Sequence, residues 1–265
     1  MNFWVWGIFN LFDHGLVRYL LDRLSPNETG RAALIGGAFA LCVILPYLLG
    51  SINCALLISR YVYHDDIRKY GSGNAGSTNM LRTYGKKASI VTFIGDGLKG
   101  VLSVIIACLL FGSPESEPFF IYLVTAAYLS AFFCVFGHIF PCFAHFRGGK
   151  GFATSATVII VLNPVIAAIL ACIFFPLVAV SRYISLGSVM AVLIYPILLA
   201  SFDKTQAQPY GVPVIFALLI AAAVTFAHRG NIVRIFNHTE RKLVLKKDKV
   251  KEEGTASAPD DKTDA

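Results

Sequence analysis

Long uninterrupted runs of apolar residues decide most of what this chain can become. Residues 88–111, 119–143, 184–202 and 210–227 form such runs, and residues 33–61 and 152–180 form longer, interrupted ones. About 20 mainly apolar residues in helical form cross the roughly 30 Å hydrocarbon core of a bilayer. There the backbone has no water to bond to, so a crossing segment must be a helix or part of a closed barrel. Barrel strands alternate apolar and polar residues, and these runs do not. The expected fold class is therefore all-α: a polytopic membrane helical bundle of about seven transmembrane segments. Composition agrees, since only 15% of the residues are charged, against about 25% in a soluble domain.

Interruptions and charges set the topology. The run over 33–61 is expected to break at Pro46 and Gly50-Ser51, and the run over 152–180 at Asn163-Pro164. Proline removes a backbone donor and restricts the residue before it. Lys and Arg gather on the cytoplasmic side of membrane proteins. Arg60, Arg68, Lys69, Arg82, Lys86 and Lys87 share one polar segment, and the chain from Arg229 is again basic. Both are expected in the cytoplasm, with Arg147 and Lys150 beside them after two intervening spans. An even number of crossings must then separate Lys150 from the tail. One helix through 152–180 makes that number odd; a break at Asn163-Pro164 makes it even. The expectation is an N-terminus outside and a cytoplasmic C-terminus. Residues 152–162 would reach only about 17 Å, so they either cross with local thinning or sit within the bundle.

Residues 1–32 are expected to be an N-terminal interfacial extension built on an amphipathic helix, with Trp4 and Trp6 near its start. Asn27-Glu-Thr29 matches a glycosylation acceptor, a pattern common by chance. Residues 33–241 make the membrane domain, and residues 242–265 are expected to be a disordered, charged tail.

The formal charge of +7 lies outside the apolar runs. Basic residues that flank hydrophobic spans suit anionic lipid heads and phosphorylated substrates rather than nucleic acid. The six cysteines sit in or beside apolar runs with no C-x-x-C pair. They read as small buried hydrophobes, with no disulfide or zinc framework and no cofactor implied.

Polar residues concentrate in a few places. The longest such segment, 66–87, sets Gly71, Gly73 and Gly76 among Ser72, Asn74, Ser77, Thr78 and Asn79, with Arg68, Lys69 and Arg82 around them. Glycines let the backbone turn its N–H groups toward one point, hydroxyls and amides add short donors, and Arg offers a fork that fits a phosphate. Arg147-Gly-Gly-Lys-Gly151 precedes a helix, where free N–H groups and the Lys150 ammonium again suit a phosphate. It lacks the Ser or Thr that follows the lysine of a P-loop. His228 and Asn231, three apart, share a helical face. Ser185-Leu-Gly-Ser188 opens a span beside Arg182. Asp96 and Lys99 fall inside a span, where ionisable groups are costly unless paired, so they are expected to pair and face the interior. Each motif alone also fits a plain role: a flexible loop, a basic turn, a helix cap or a structural ion pair. There is no H-x-x-x-x-D pattern, no G-x-S-x-G elbow and no cysteine in an electropositive turn, so a protein nucleophile is not supported.

Taken in order, these motifs resemble the bacterial acyl-phosphate:glycerol-3-phosphate acyltransferase family. They run through Gly50-Ser-Ile52, Ser72-Gly-Asn-Ala-Gly-Ser-Thr-Asn79 with Arg82, Asp96-x-x-Lys-Gly100 and Gly137-His-Ile-Phe-Pro141. Gly148-Gly-Lys-Gly151, Ser185-Leu-Gly-Ser188 and His228-Arg-Gly-Asn231 with Thr239-Glu240 follow. The likeness spans about residues 33–241. It implies a multi-pass enzyme of the bacterial inner membrane with its site facing the cytoplasm. The reaction implied is phospholipid biosynthesis: an acyl group moves from acyl phosphate to the 1-hydroxyl of glycerol 3-phosphate, giving lysophosphatidic acid and phosphate. Functional coupling to the enzyme that makes acyl phosphate is implied as well. Carried over by position, Ser72, Arg82, Lys150, Ser188, His228 and Asn231 would serve catalysis. Asn74, Thr78, Asn79, Gly148, Gly149 and Gly151 would bind substrate. The family pattern carries Pro where this chain has Ala75, Ala where it has Ser77, and Pro-Phe-Gly where it has Asn53-Cys-Ala55. The rival reading is an anion or lipid-phosphate transporter, which would place polar groups near mid-membrane and show paired repeats; no internal repeat is evident.

Overall fold

A computed structural model of the chain describes residues 15–112, 119–203 and 211–243, and the described residues are helical throughout apart from turns and loops. In chain order the helices are α1 (Gly15–Leu24), α2 (Glu28–Ser51), α3 (Cys54–Tyr61), α4 (Ser77–Tyr84), α5 (Lys86–Phe111) and α6 (Phe119–Ile139). They continue with α7 (Phe152–Leu162), α8 (Pro164–Ser181), α9 (Ile184–Asp203), α10 (Val212–Ala227) and α11 (Arg229–Phe236). Five stretches are long and apolar enough to cross a membrane: Glu28–Tyr61, Lys86–Phe111, Phe119–Ala144, Pro164–Ser181 and Ile184–Phe202. The pair α10 and α11, bent by 59°, makes a sixth if counted as one span. Leucines and isoleucines such as Leu41, Ile44, Leu98, Leu102 and Ile197 stand exposed on these helices. In water that would be an aggregation liability; toward lipid tails it is the ordinary outer face.

Of the two breaks expected in this run, the one at Pro46 is absent and the one at Gly50-Ser51 is present. Helix α2 runs through Pro46 to Ser51 and stops at Ile52, whose backbone is extended. Packing explains both facts. Gly50 and Gly137 have no room for a side chain: a Cβ would come within 2.2 Å of the Cys134 carbonyl and 2.3 Å of the Tyr47 carbonyl respectively. Small residues thus bring α2 and α6 into close contact, and Pro46 is buried against the bundle. The chain reopens at Asn53, which caps α3 by accepting a hydrogen bond from the Leu56 amide at 2.9 Å.

The break at Asn163-Pro164 is present. Pro164 opens α8 at its first turn, where its missing N–H is not needed. The Asn163 side-chain oxygen accepts hydrogen bonds from the Tyr128 and Tyr195 hydroxyls, each at 2.8 Å. Those tyrosines lie near the middle of α6 and α9, so the eleven-residue α7 ends at mid-bundle. Gly151, just before α7, and Arg182, just after α8, meet at the same pocket, so the two helices run out and back. At the other end α1 packs on the end of α5, with Val17 buried in the main core. Asn27 caps α2 by accepting from the Gly30 amide at 2.9 Å, which gives that asparagine a structural use. The rest of the expected interfacial helix, residues 1–14, and the tail from 244 lie outside the described residues.

Candidate active site

At one end of the bundle, polar segments far apart in sequence close around a pocket of about 280 Å³. Its first wall is the loop ahead of α4. Asn79, 1% exposed, accepts from the Ser72 amide at 3.0 Å and donates to the Tyr70 and Ile67 carbonyls at 3.0 and 3.2 Å. Across the loop, the Asn53 amide donates to the Ala75 carbonyl at 3.1 Å. These two asparagines fix the curve that leaves Ser72, Asn74 and Thr78 on the pocket surface. Asn79 itself borders the pocket, but its amide is occupied in holding the loop.

The second wall is the glycine turn. The Gly148 amide donates to the Ile139 carbonyl at 3.2 Å and the Gly149 amide to the His138 carbonyl at 3.1 Å, which strap the turn to the end of α6. Gly151, at φ +81°, starts α7. Gly151 lines the pocket; Gly148 faces a separate, shallower hollow with Arg68, Gly73, His145 and Arg147. Gly149 packs against the His138 ring. Between them Lys150 projects inward and its ammonium donates to the Asn231 side-chain oxygen.

The remaining walls come from the α8–α9 turn and the chain after α10. Ser188 and Ser185 sit in the first turns of α9; Ser188 donates to the Ile184 carbonyl at 2.9 Å and Ser185 to Glu240 at 2.9 Å. His228 marks the α10–α11 bend. Its Nδ1 donates to the Val224 carbonyl at 2.8 Å, which leaves Nε2 as the atom presented to a ligand. Asp96 and His138 form part of the floor. As expected, Asp96 pairs with Lys99, at 2.9 Å, inside the bundle.

The pocket carries an excess of cations. Arg82, Lys150, Arg182, Arg234 and Arg241 border it, against Glu240 and the already paired Asp96. Burial pushes the Lys150 pKa down to about 8, with Arg234 and Arg82 adding to the effect and Glu240 opposing it. Burial pushes the Glu240 carboxyl up, but hydrogen bonds from Arg234, Asn231 and Ser185 outweigh it and hold the pKa below its ordinary value. Among the described residues no group of three or more His, Cys, Asp or Glu side chains could hold a metal ion.

All of Ser72, Arg82, Lys150, Ser188, His228 and Asn231 border this one pocket. Sequence reasoning gave Glu240 no task, although it bonds to Ser185, Asn231 and Arg234 at once. Its only signal was its place at the end of the ordered motifs. Arg234 was visible only as a neighbour of the His228 and Asn231 pair, and Arg241 only as part of a basic tail.

A helical membrane bundle with a cation-rich pocket at one end, ringed by hydroxyls and amides, has the chemistry that suits small phosphorylated anions. Residues 40–238 match the family described as glycerol-3-phosphate acyltransferase, and the chain belongs to that family. It is 41% identical over 214 residues to glycerol-3-phosphate acyltransferase of Clostridioides difficile (strain 630), covering 80% of this chain and 98% of that one. It is 39% identical over 204 residues to glycerol-3-phosphate acyltransferase of a Thermoanaerobacter species, covering 77% and 94%. The fold is similar to the crystal structure of PlsY (YgiH), an integral membrane glycerol 3-phosphate acyltransferase, in its glycerol 3-phosphate form. The TM-score is 0.67 at 32% identity, over 78% of this chain and 96% of that one. The lysophosphatidic acid form of PlsY matches with a TM-score of 0.64 at 31% identity.

Proposed function

We propose that this protein transfers an acyl group from acyl phosphate to the 1-hydroxyl of glycerol 3-phosphate at the cytoplasmic face of a bacterial inner membrane. One observation carries the site assignment: six polar side chains from four separate segments converge on a single cation-rich pocket. In the reaction, the hydroxyl oxygen bonds to the acyl carbon, the bond from that carbon to the phosphate oxygen breaks, and the departing phosphate takes the hydroxyl proton. The products are lysophosphatidic acid and phosphate. Acyl phosphate is already activated, so the protein's task is placement and charge neutralisation. Holding both reactants in attack geometry supplies on the order of 7–11 kcal/mol.

Lys150 and Arg82 neutralise phosphate charge; Ser72, Asn74, Thr78 and Gly151 add short donors, and Ser188 adds one by turning its hydroxyl from the Ile184 carbonyl; His228 and Asn231 orient the phosphorylated groups. The acyl chain would lie between helices toward the bilayer, against the apolar outer face. A transporter would gather its polar groups at mid-depth; here the cations stand at one end.

The deciding experiment supplies purified protein with acyl phosphate, with and without glycerol 3-phosphate. Phosphate release that depends on glycerol 3-phosphate, with matching ester formation, is the expected result. Release independent of it, or none, would reject the reading. The pH profile gives a second check. Lys150 must carry its proton to neutralise phosphate, and kcat/KM reports groups of the free enzyme. With the pKa near 8, kcat/KM is expected to fall as pH rises above about 8, approaching tenfold per unit. In Lys150→Arg, whose guanidinium stays charged, that alkaline limb should vanish.

A further inference from the structure

Beneath the pocket lies a buried group that the reaction above leaves unused. The Lys99 ammonium donates to the Gly50 and Ile52 carbonyls, each at 3.0 Å. Those are acceptors released where α2 stops, and the lysine replaces the helix bonds lost there. The remaining face of the ammonium meets Asp96 Oδ1 at 2.9 Å and His138 Nδ1 at 2.7 Å. Asp96 Oδ1 is 3.5 Å from the same ring nitrogen. All three side chains are almost wholly buried.

This contact fixes the histidine's tautomer. An ammonium can only donate, so a ring nitrogen 2.7 Å away must accept. A proton on Nδ1 would point straight at the Lys99 hydrogens, which excludes both the Nδ1–H tautomer and the imidazolium. The ring is therefore neutral with its one proton on Nε2. That nitrogen faces away from Lys99, toward Gly149, where an added Cβ would come within 2.0 Å of it. His138 lines the pocket and is 3% exposed. Among the described residues no hydrogen bond is made at its Nε2, and the residue borders the pocket, so a donor is held ready for what the pocket receives.

We propose that His138 is a further substrate-contacting residue, whose Nε2–H donates to an oxygen of a phosphoryl or acyl group, and that Lys99 is the positioning residue that keeps the proton there. The first part rests on the reaction proposed above; the tautomer does not. Lys99 serves two ends at once, since the same ammonium sets the histidine proton and closes the break in α2. The carbonyl of His138 also holds Gly149, so ring and turn are placed by one residue.

The test uses full-length protein in detergent, labelled with ¹⁵N at histidine, with His138 assigned by the signal missing in His138→Gln. The expected spectrum has a protonated Nε2 and an unprotonated Nδ1, and the Nε2 signal shifts on adding glycerol 3-phosphate or inorganic phosphate. A proton on Nδ1, or no response to either anion, overturns the proposal on the wild-type protein, whatever the variants do. In kinetics, His138→Gln keeps a donor near the Nε2 position and should stay within about threefold of wild type, whereas His138→Phe should lose roughly tenfold or more, the worth of a neutral hydrogen bond. Loss in KM for glycerol 3-phosphate assigns the acceptor to that phosphate, loss in KM for acyl phosphate to the donor substrate, and loss in kcat alone to the developing oxyanion. Equal loss in Gln and Phe, or none in Phe, would make the residue merely structural and sink the idea. If wild-type protein binds glycerol 3-phosphate but forms no ester, the reaction fails while the tautomer result stands.

Discussion

Lys150→Ala should cost about 10³-fold in kcat/KM and leave the protein folded and inserted. The side chain does little for the fold. Its ammonium bonds to the Asn231 side-chain oxygen, and among the described residues it forms no ion pair. Its backbone needs no help from its side chain, because the turn is strapped through the Gly148 and Gly149 amides. Removing it deletes one amphipathic arm and one charge from a partly buried pocket. A phosphate bound there would lose one of its point charges. Truncating one partner of a buried, hydrogen-bonded charge pair costs about 2–5 kcal/mol, which corresponds to roughly 30- to 5,000-fold. Size-exclusion profiles and thermal midpoints in detergent should match wild type. Activity within tenfold of wild type would remove Lys150 from the site, and a collapsed elution profile would mean that the turn needs the side chain after all.

The spans were legible because a bilayer leaves the chain few options. Continuous apolar runs name the helices, and Asn163-Pro164 names its break, since Pro at a first turn ends one helix and begins another. Pro46 misled for a related reason. Proline weakens a helix locally, but just beyond it α2 is held by close packing of Gly50 on Cys134 and of Tyr47 on Gly137, and packing outweighs one missing bond. The stop at Ile52 falls where Gly50-Ser51 marked it, but the carbonyls freed there are held by Lys99, forty-nine residues from Gly50, and no local pattern encodes that partner. The pocket was legible as a set of motifs. What the motifs hid was their connections. Asn53 and Ala75 stand where the family pattern has proline, and they bond to each other, so one contact stiffens the loop that proline would otherwise stiffen. His138 and Asp96 lie forty-two positions apart in sequence, so a search for a short carboxylate–histidine spacing could not find them, yet they are 3.5 Å apart in space.

Glu240→Ala should lose on the order of 10²-fold in activity and, unlike the Lys150 variant, should also lower the thermal midpoint. The carboxylate is 7% exposed and joins two elements. One oxygen accepts from Ser185 on α9 and from Asn231 on α11; the other accepts from Arg234 at 2.8 Å. Arg234 is 42% exposed, so without its partner it can turn to water and its loss costs little. Ser185 and Asn231 cannot, because both are buried. Their lost bonds to a charged acceptor account for about 2 kcal/mol of stability. Asn231 then has no reason to hold its amide toward Glu240 and its oxygen toward Lys150, and a displacement of about 1 Å at a positioning group costs roughly 10²-fold in rate. The sign with pH follows from the lowered carboxyl pKa: the contribution is present above the ordinary carboxylate pKa and disappears as pH falls through the folded value. Glu240→Gln removes that charge at every pH while keeping the shape, yet its amide nitrogen must face a donor wherever it turns. It should therefore fall between wild type and Glu240→Ala in both readouts, with its midpoint falling less on acidification than that of wild type, since Asp65 and Asp66 still titrate there. A Gln variant as stable and as active as wild type would mean that the carboxylate's charge holds nothing together, and that α9 and α11 are kept in place by apolar packing alone.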